Sequence, residues 1–271
     1  MRSLGVSQRK LKSVAATALL AGLVFASPAR AETSAATPAC DTPLDLVRLT
    51  NPLPHVAQKI SAGEPITIVA IGSSSTAGAG ASSAAANYPS RLAIELHEHL
   101  PRLSITILNR GVGGEEVADM LKRFDSAVIA AKPDLVLWQL GTNSVIRDHS
   151  HIEYGAMISS GIAKIRAVGA DTVLIDPQYA PKVIAKPEAE SMVALISTMA
   201  KKENVDLFRR FDVMKHWRDV GQLGFETFVS ADGLHMNDWS YACMAKGLGD
   251  AIVEAAQRPI MSATVGVHIV P

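Results

Sequence analysis

Residues 230–235, near the C-terminus, contain an aspartate and a histidine whose spacing suits acid–base chemistry. Asp232 precedes His235 by three positions, and Gly233 between them permits a tight turn. An aspartate in that place can accept a hydrogen bond from the ring Nδ1 and leave Nε2 free to take a proton. Taken alone, the pair is equally consistent with a helix N-cap followed by a surface histidine.

A turn of small residues, Gly72–Thr76, offers a hydroxyl nucleophile after a short apolar segment. A serine in this turn can present its Oγ above the end of a strand. The turn is not a G-x-S-x-G elbow, because Thr76 occupies the second glycine position, and it is not a phosphate loop, because no lysine follows the glycine. By itself it is more simply a serine-rich turn satisfied by its own backbone.

Two further segments offer hydrogen-bond donors for a developing negative charge. Asn109–Gly114 ends in consecutive glycines, and Gly141–Asn143 ends in an asparagine. A glycine exposes its backbone N–H at close range and an asparagine amide donates without charge, which are the properties that an oxyanion hole requires. Their alternative interpretations are a tight turn between a strand and a helix, and a helix cap.

Together and in this order, the four segments resemble the SGNH (GDSL-type) hydrolase family. The resemblance covers about residues 66–256 and implies a Ser-His-Asp triad with three oxyanion donors. The residues that it implies are Ser74, Asp232 and His235 for the triad, and Ser74, Gly114 and Asn143 for the oxyanion hole.

Two positions depart from the family pattern. Ser73 stands where the family has an aspartate before the nucleophile, and Ser144 follows Asn143 at a place where aspartate is frequent. The first aspartate is not a member of the triad, and a serine can still form local hydrogen bonds. The departure therefore bears on the geometry of the turn more than on catalysis.

The resemblance implies a serine esterase that hydrolyses O-acyl esters, acetyl or short-chain, on a carbohydrate or a small molecule through an acyl-enzyme. An O-acyltransferase would use the same residues, with a sugar hydroxyl in place of water. An inactive carbohydrate-binding module is a third interpretation, against which the intact set of residues argues. Candidates for a substrate pocket, or for the core, are Trp138, Gln139, Arg147, Tyr179 and Trp239.

No cofactor is expected, because each catalytic role has a candidate among the side chains, and the sequence predicts no metal site. His149 and His151 are metal-ligand types, but no third ligand is evident near them. The expected partner is a small-molecule or carbohydrate ester, and neither nucleic-acid binding nor stable membrane insertion after signal cleavage is expected.

From residue 66 the chain alternates short apolar segments with amphipathic ones, which predicts an α/β fold. We predict three layers, α/β/α, with a central, mostly parallel sheet of about five strands as in SGNH and flavodoxin-like folds. The predicted strands are Ile66–Ile71, Ile105–Leu108, Leu135–Leu140, Thr172–Ile175 and Val205–Phe208. The predicted helices are Leu44–Ile60, Tyr88–Leu100, Val117–Ala131, Ile152–Val168, Pro187–Lys202 and Trp239–Ala256.

Residues 1–31 have the pattern of a secretory signal, which predicts an exported, periplasmic or secreted protein. A basic start precedes an apolar run, Ser13–Ala26, and Ala29–Ala31 matches a cleavage site. The apolar run is shorter than the roughly 20 residues that cross a bilayer. The predicted organisation is a signal peptide (1–31), an N-terminal leader and lead-in helix (32–64), a hydrolase domain (65–257) and a C-terminal tail (258–271).

The charge balance bears on possible partners, and the cysteine content bears on the compartment. Of the 26 basic residues five lie in the signal segment, so the remainder carries 21 basic against 26 acidic residues and lacks the charge of a nucleic-acid binder. Cys40 and Cys243 are the only cysteines. In an oxidising compartment they are predicted to form a disulfide, the alternative being two buried thiols.

Overall fold

A computed structural model describes residues 38–40, 42–149 and 152–258 of the chain. The predicted signal peptide, residues 259–271 of the predicted tail, and His151 lie outside the described residues. The lead-in residues 42–64 contribute Val47, Leu53 and Val56 to the same hydrophobic core as the residues that follow them.

Short apolar segments rich in β-branched residues form one five-stranded sheet in the described part of the chain. The strands are β1 (Ile66–Gly72), β2 (Ile105–Gly111), β3 (Leu135–Gln139), β4 (Asp171–Ile175) and β5 (Asp206–Phe208). All are parallel and lie in the order β2-β1-β3-β4-β5, so β1 is hydrogen-bonded to both β2 and β3. The predicted three-layer α/β/α fold is confirmed.

Helices connect the strands and flank the sheet. Those described are α1 (Leu44–Val47), α2 (Pro54–Ala62), α3 (Ser74–Ala77), α4 (Tyr88–His99), α5 (Val117–Lys122), α6 (Phe124–Ala127), α7 (Thr142–Ile146), α8 (Tyr154–Ala167), α9 (Pro181–Ile184), α10 (Ala189–Glu203), α11 (Arg210–Asp219), α12 (Phe225–Phe228) and α13 (Asp238–Gln257). None of the helices described is both long and apolar enough to cross a membrane.

Close packing fixes the helices against the sheet and against each other. A β-carbon on Gly249 of α13 would lie 3.5 Å from Leu92 of α4, so these two helices are in direct contact. On β3, the Trp138 ring lies so near Gly161 of α8 that a β-carbon there would come within 2.2 Å of it. Strands β1, β3 and β4 are almost entirely buried, as their continuous apolar sequence predicts, whereas the edge strand β2 is only partly buried.

Two predicted helices are interrupted in the structure. The predicted lead-in helix, Leu44–Ile60, is instead the pair α1 and α2, because Pro54 begins α2 and disfavours helical backbone in the residue before it. The predicted helix Val117–Ala131 is divided at Arg123, whose guanidinium binds the Glu115 carboxylate. The other predicted helices agree with the structure within two residues at each end.

The sequence did not predict α11 and α12, nor the short helices α3, α7 and α9. The buried residues of α11 include Phe211, Met214 and Trp217, which recur at intervals of three along an otherwise polar and charged segment. That spacing is a helical signal, but the charged residues between them hide it. α12 has only four residues, which is too short for a periodic pattern.

Aspartates at the starts of two strands hold the lead-in segment to the amino-terminal edge of the sheet. Asp171, at the start of β4, accepts hydrogen bonds from the N–H groups of His55 and Val56, both at 3.0 Å. Asp206, at the start of β5, accepts one from Asn51 N–H at 2.9 Å. Burial raises the pKa of Asp171 to about 6.

The structure joins Cys40 to Cys243 in a disulfide, so the predicted pairing is present. The two Cα atoms are 5.3 Å apart, within the usual range for a bridge. Cys243 lies on α13, and two residues after Cys40 the Thr42 hydroxyl accepts a hydrogen bond from Trp217 Nε1 at 3.1 Å. The bridge therefore fixes the start of the described chain to the helix that follows the Asp-His segment.

We predict that replacing both cysteines, Cys40→Ser with Cys243→Ser, lowers the free energy of unfolding. The bridge spans 203 residues of sequence, and loop-closure entropy gives about 5 kcal/mol for a cross-link of this length. Urea unfolding followed by circular dichroism measures the difference. As a control, a reductant should destabilise the natural protein and leave the double variant unchanged. A double variant as stable as the oxidised protein would contradict the prediction.

Candidate active site

Ser74, His235 and Asp232 form a continuous chain of hydrogen bonds at the carboxyl edge of the sheet. Ser74 Oγ lies 2.8 Å from His235 Nε2, and His235 Nδ1 lies 2.5 Å from Asp232 Oδ2. With a proton on Nδ1, the ring donates to the carboxylate and accepts from the serine hydroxyl. The arrangement can move a proton from Ser74 to His235 while Asp232 orients the ring.

A short antiparallel bridge between Val229 and Met236 closes the loop that carries Asp232 and His235. Within the loop, Asp232 Oδ1 accepts hydrogen bonds from the N–H groups of residues 234 and 235, and Gly233 adopts a positive φ of 69° that favours glycine. Both oxygens of the carboxylate are therefore held by the loop. The backbone of the loop therefore fixes the Asp232 carboxylate next to the His235 ring.

The hydrogen bonds of the loop also set the charge of Asp232. Burial opposes ionisation, but donation from the ring and backbone of His235, from Leu234 N–H and from the Ser230 hydroxyl outweighs it and holds the pKa of Asp232 well below its usual range. The carboxylate is thus ionised throughout the neutral range. A fixed negative charge beside Nδ1 stabilises the imidazolium that forms when the ring accepts a proton.

The turn after β1 exposes one serine of three. Ser74 is the first residue of α3 and is half-buried, whereas Ser73 and Ser75 are buried. The Ser73 carbonyl accepts hydrogen bonds from Thr76 N–H at 3.1 Å and Ala77 N–H at 3.0 Å. Because a trans peptide unit points its C=O and N–H in opposite directions, the Ser74 N–H is directed away from the helical turn. It is therefore available to a ligand.

The glycine loop after β2 passes over Gly72–Thr76, the turn that carries the candidate nucleophile (the nucleophile turn). A β-carbon on Gly113 would lie 3.9 Å from Ser74 Cβ, so no side chain separates the loop from the serine. Gly114 has a φ of 81°, a conformation that L side chains rarely adopt, and a β-carbon there would approach Arg147 Nη2 to 3.3 Å. The positive φ therefore favours glycine at this position, and a side chain there would also have to displace the Arg147 guanidinium slightly.

Asn143 lies at the start of α7 and is anchored beside the same loop. Its Nδ2 donates to the Glu115 carbonyl at 2.8 Å. An amide nitrogen carries two hydrogens, so the second remains for another acceptor. The structure therefore brings all of the predicted site residues, Ser74, Gly114, Asn143, Asp232 and His235, to one edge of the sheet.

Sequence reasoning missed Glu116, which binds the glycine loop to α7. Its carboxylate accepts hydrogen bonds from Ser144 Oγ at 2.8 Å, Arg147 Nη1 at 2.6 Å and His149 Nδ1 at 3.0 Å. Burial opposes its ionisation, but these donors outweigh it and lower the pKa of Glu116. The local sequence pattern that could have drawn attention to Glu116 is the capping box that it forms with Asp119 at the start of α5.

Asn109 connects β2 to the nucleophile turn and is not merely part of a tight turn. Its Nδ2 donates to the Thr76 carbonyl at 2.8 Å, and its Oδ1 accepts from Gly111 N–H at 2.9 Å.

Two of the candidate pocket residues belong to the interior. Trp138 is fully buried against Phe124, and Gln139 is fully buried beside the turn.

Among the residues described, no group of three or more His, Cys, Asp or Glu side chains is arranged to hold a metal ion. His149, considered from the sequence as a metal ligand, instead pairs with Glu116. Its predicted companion, His151, lies outside the described residues.

The fold matches that of SGNH-type esterases. The chain belongs to the Non-GDSL lipase-like family, whose family model matches residues 39–258. It is 32% identical to an acetylxylan esterase of Geobacillus stearothermophilus over 89 residues, which are 29% of this chain and 41% of that protein. It is 27% identical to the esterase TesA of Pseudomonas aeruginosa over 133 residues, 48% of this chain and 60% of TesA. The matches thus span less than two thirds of either relative.

Solved structures share the fold. A two-domain esterase (CEX) active on acetylated mannans superimposes with a TM-score of 0.68 over 85% of this chain and 61% of that chain, at 17% identity. The crystal structure of TesA gives a TM-score of 0.59 over 70% of this chain and 99% of that chain, at 22% identity. At these identities the likeness establishes the architecture alone.

We predict that a fluorophosphonate reacts with Ser74 and spares its neighbours Ser73 and Ser75. The Ser74 oxygen forms the bond to phosphorus, fluoride leaves, and the serine proton passes to His235. Peptide mapping by mass spectrometry identifies the modified residue. His235→Ala should slow labelling strongly, because Ser74 then lacks a base. Labelling of Ser73 or Ser75 at a comparable rate would contradict the geometry.

Proposed function

We propose that this protein is an exported serine esterase that removes O-acetyl or other short O-acyl groups, with a carbohydrate as the favoured alcohol. The observation that carries the proposal is the hydrogen-bonded chain from Ser74 through His235 to Asp232, beside the consecutive glycines Gly113 and Gly114. A hydroxyl, its base and the carboxylate that orients the base are the parts that acyl transfer requires.

In the first half of the reaction, Ser74 Oγ attacks the ester carbonyl carbon and its proton passes to His235 Nε2. The carbonyl oxygen becomes an oxyanion, and its donors are the N–H groups of Ser74 and Gly114 together with the second amide hydrogen of Asn143. Each such donor is worth about 3–4 kcal/mol in the transition state. The C–O bond to the alcohol then breaks, and His235 returns the proton to the leaving alcohol.

In the second half, water replaces the alcohol. His235 removes a proton from water, the resulting hydroxide attacks the acyl-enzyme, and the oxyanion forms in the same place. Collapse releases the acid and restores the Ser74 hydroxyl. Every proton that leaves a nucleophile returns to a leaving group through His235, so the cycle balances without a further reactant.

The substrate class is supported by the comparisons. Acetyl esters of xylan and mannan are the substrates named for two of the similar proteins. The exposed glycine loop beside Ser74 is compatible with a bulky alcohol, because no side chain covers the hydroxyl there. Export is supported by the signal-like sequence of residues 1–31 and by the disulfide, which persists in oxidising compartments.

We predict that Ser74→Ala reduces the release of acetate from acetylated xylan and from aryl acetates by about 10⁴-fold or more, since the variant lacks the nucleophile. Ser75→Ala is the matched control, because Ser75 lies in the same turn and does not reach His235. Equal circular dichroism spectra establish that both variants are folded. Activity retained by Ser74→Ala and lost in Ser75→Ala would overturn the assignment.

The same assay distinguishes hydrolysis from acyl transfer. Adding an unacetylated oligosaccharide to the reaction should leave the yield of free acetate unchanged if water accepts the acyl group. An O-acyltransferase would instead convert the added oligosaccharide to its acetyl ester at the expense of acetate. Mass spectrometry of the oligosaccharide measures the difference.

We predict that kcat/KM for ester hydrolysis decreases on acidification with the titration of a single group. His235 must be unprotonated to accept the Ser74 proton. The pKa of Asp232 lies well below its usual range, so Asp232 stays ionised between pH 5 and 8 and contributes no second protonation. Initial rates at subsaturating substrate between pH 5 and 8 test this. A rate that is independent of pH, or one that needs two protonations, would contradict it.

A further inference from the structure

Gln139, the last residue of β3, makes a cluster of hydrogen bonds to the nucleophile turn. Its Oε1 accepts from Ser73 N–H at 2.9 Å, from Ser73 Oγ at 2.9 Å and from Thr76 Oγ1 at 3.3 Å. A backbone N–H can only donate, so the oxygen of the amide must be the atom that faces the turn. Gln139 and Ser73 are 1% and 2% exposed.

These contacts determine the direction of Ser74. The Gln139 oxygen fixes the amide of Ser73, and the N–H groups of Thr76 and Ala77 fix its carbonyl. The next peptide unit, which carries the Ser74 N–H, therefore has little freedom to rotate. Removing the Gln139 oxygen would leave Ser73 N–H buried without an acceptor, and the turn would have to move to satisfy it.

Gln139 and Ser73 are also complementary as hydrogen-bond acceptor and donor. Ser73 stands where the related motif has an aspartate, and its hydroxyl donates to the Gln139 oxygen. A carboxylate at residue 73 would place two acceptors against each other in a buried space, which is unfavourable. The acceptor of this turn thus comes from the neighbouring strand, and residue 73 supplies a donor.

We propose that Gln139 is a positioning residue for catalysis, which aims the Ser74 N–H and Oγ through its contacts with Ser73 and Thr76. The proposal rests on the proposed esterase function. Gln139 does not contact Ser74 or the substrate, so its loss should slow the chemical step and leave substrate affinity unchanged.

The test compares three variants in the full chain. Gln139→Met keeps the length of the side chain and removes the acceptor, and it should lower kcat about 10- to 100-fold with KM within about twofold. Gln139→Glu keeps an acceptor oxygen and should recover most of the loss. Val136→Ala, a cavity in the same strand away from the turn, is the control for lost stability and should keep the natural kcat.

A double-variant cycle adds a readout that general destabilisation would not change. Ser73→Ala removes one of the three donors, and in the Gln139→Met background it should have little further effect on kcat, because the shared acceptor is already absent. If Gln139→Met does not fold, Ser73→Ala and Thr76→Val carry the test: each is expected to lower kcat with KM within about twofold, and the natural kcat in both would overturn the proposal.

The rate of fluorophosphonate labelling at Ser74 separates this proposal from the esterase proposal. It does not require knowledge of the substrate, so it remains informative if the natural protein hydrolyses no ester that is tried, an outcome that would count against the esterase function alone. Slower labelling of Gln139→Met than of the natural protein and of Val136→Ala supports the positioning role. Labelling at the natural rate, or an equal loss of kcat in Val136→Ala, overturns it.

Discussion

The peptide unit between Ser73 and Ser74 is the part of the backbone on which the site depends. Its carbonyl is bound by two N–H groups of the helical turn that follows, so its N–H is directed the other way. β1 lies between β2 and β3, and a side chain from each neighbour reaches this turn: Asn109 binds the Thr76 carbonyl, and Gln139 binds Ser73. The carboxyl ends of adjacent parallel strands meet at one edge of the sheet. The strand order therefore places a hydrogen-bonding side chain on each side of the turn that carries Ser74.

The glycine loop after β2 is held by a second set of contacts, which does not involve Asn109 or Gln139. Glu116 accepts from three side chains at or after the start of α7, and Asn143 of the same helix binds the Glu115 carbonyl. These hydrogen bonds hold the loop against α7. Preorganised hydrogen-bond donors lower the energy of a transition state because they need not reorient as charge develops. In the proposed mechanism the glycine loop supplies such a donor, and these contacts hold it in place.

Much of this arrangement could be predicted from the sequence because it depends on local patterns. Apolar β-branched segments indicated the strands, and the Asp-x-x-His spacing indicated the pair that the loop at residues 232–235 brings together. Contacts between distant residues could not be predicted. Gln139 and Ser73 are 66 residues apart, and no local pattern distinguishes a buried glutamine that binds a turn from one that lines a pocket. Glu116 was missed for the same reason, since its partners follow the next strand.

Two aspartates at opposite edges of the sheet, Asp171 and Asp232, respond to pH in opposite directions. At the amino-terminal edge, burial raises the pKa of Asp171 to about 6, so the folded state binds a proton there more tightly than the unfolded chain. That carboxyl lowers the free energy of unfolding as the pH rises from about 4, the ordinary value for aspartate, to about 6, and has no further effect above it. At the carboxyl edge, the depressed pKa of Asp232 adds stability above the ordinary aspartate range and loses it on acidification.

Activity in the proposed mechanism requires a neutral His235 and an ionised Asp232, which both favour the higher pH. The buried carboxyl that holds the lead-in segment favours the lower pH. Where the two requirements conflict, the disulfide between Cys40 and Cys243 stabilises the same lead-in segment without any dependence on Asp171, because a covalent cross-link does not titrate in this range. The bridge therefore ties Cys40 to α13 whatever the charge of Asp171.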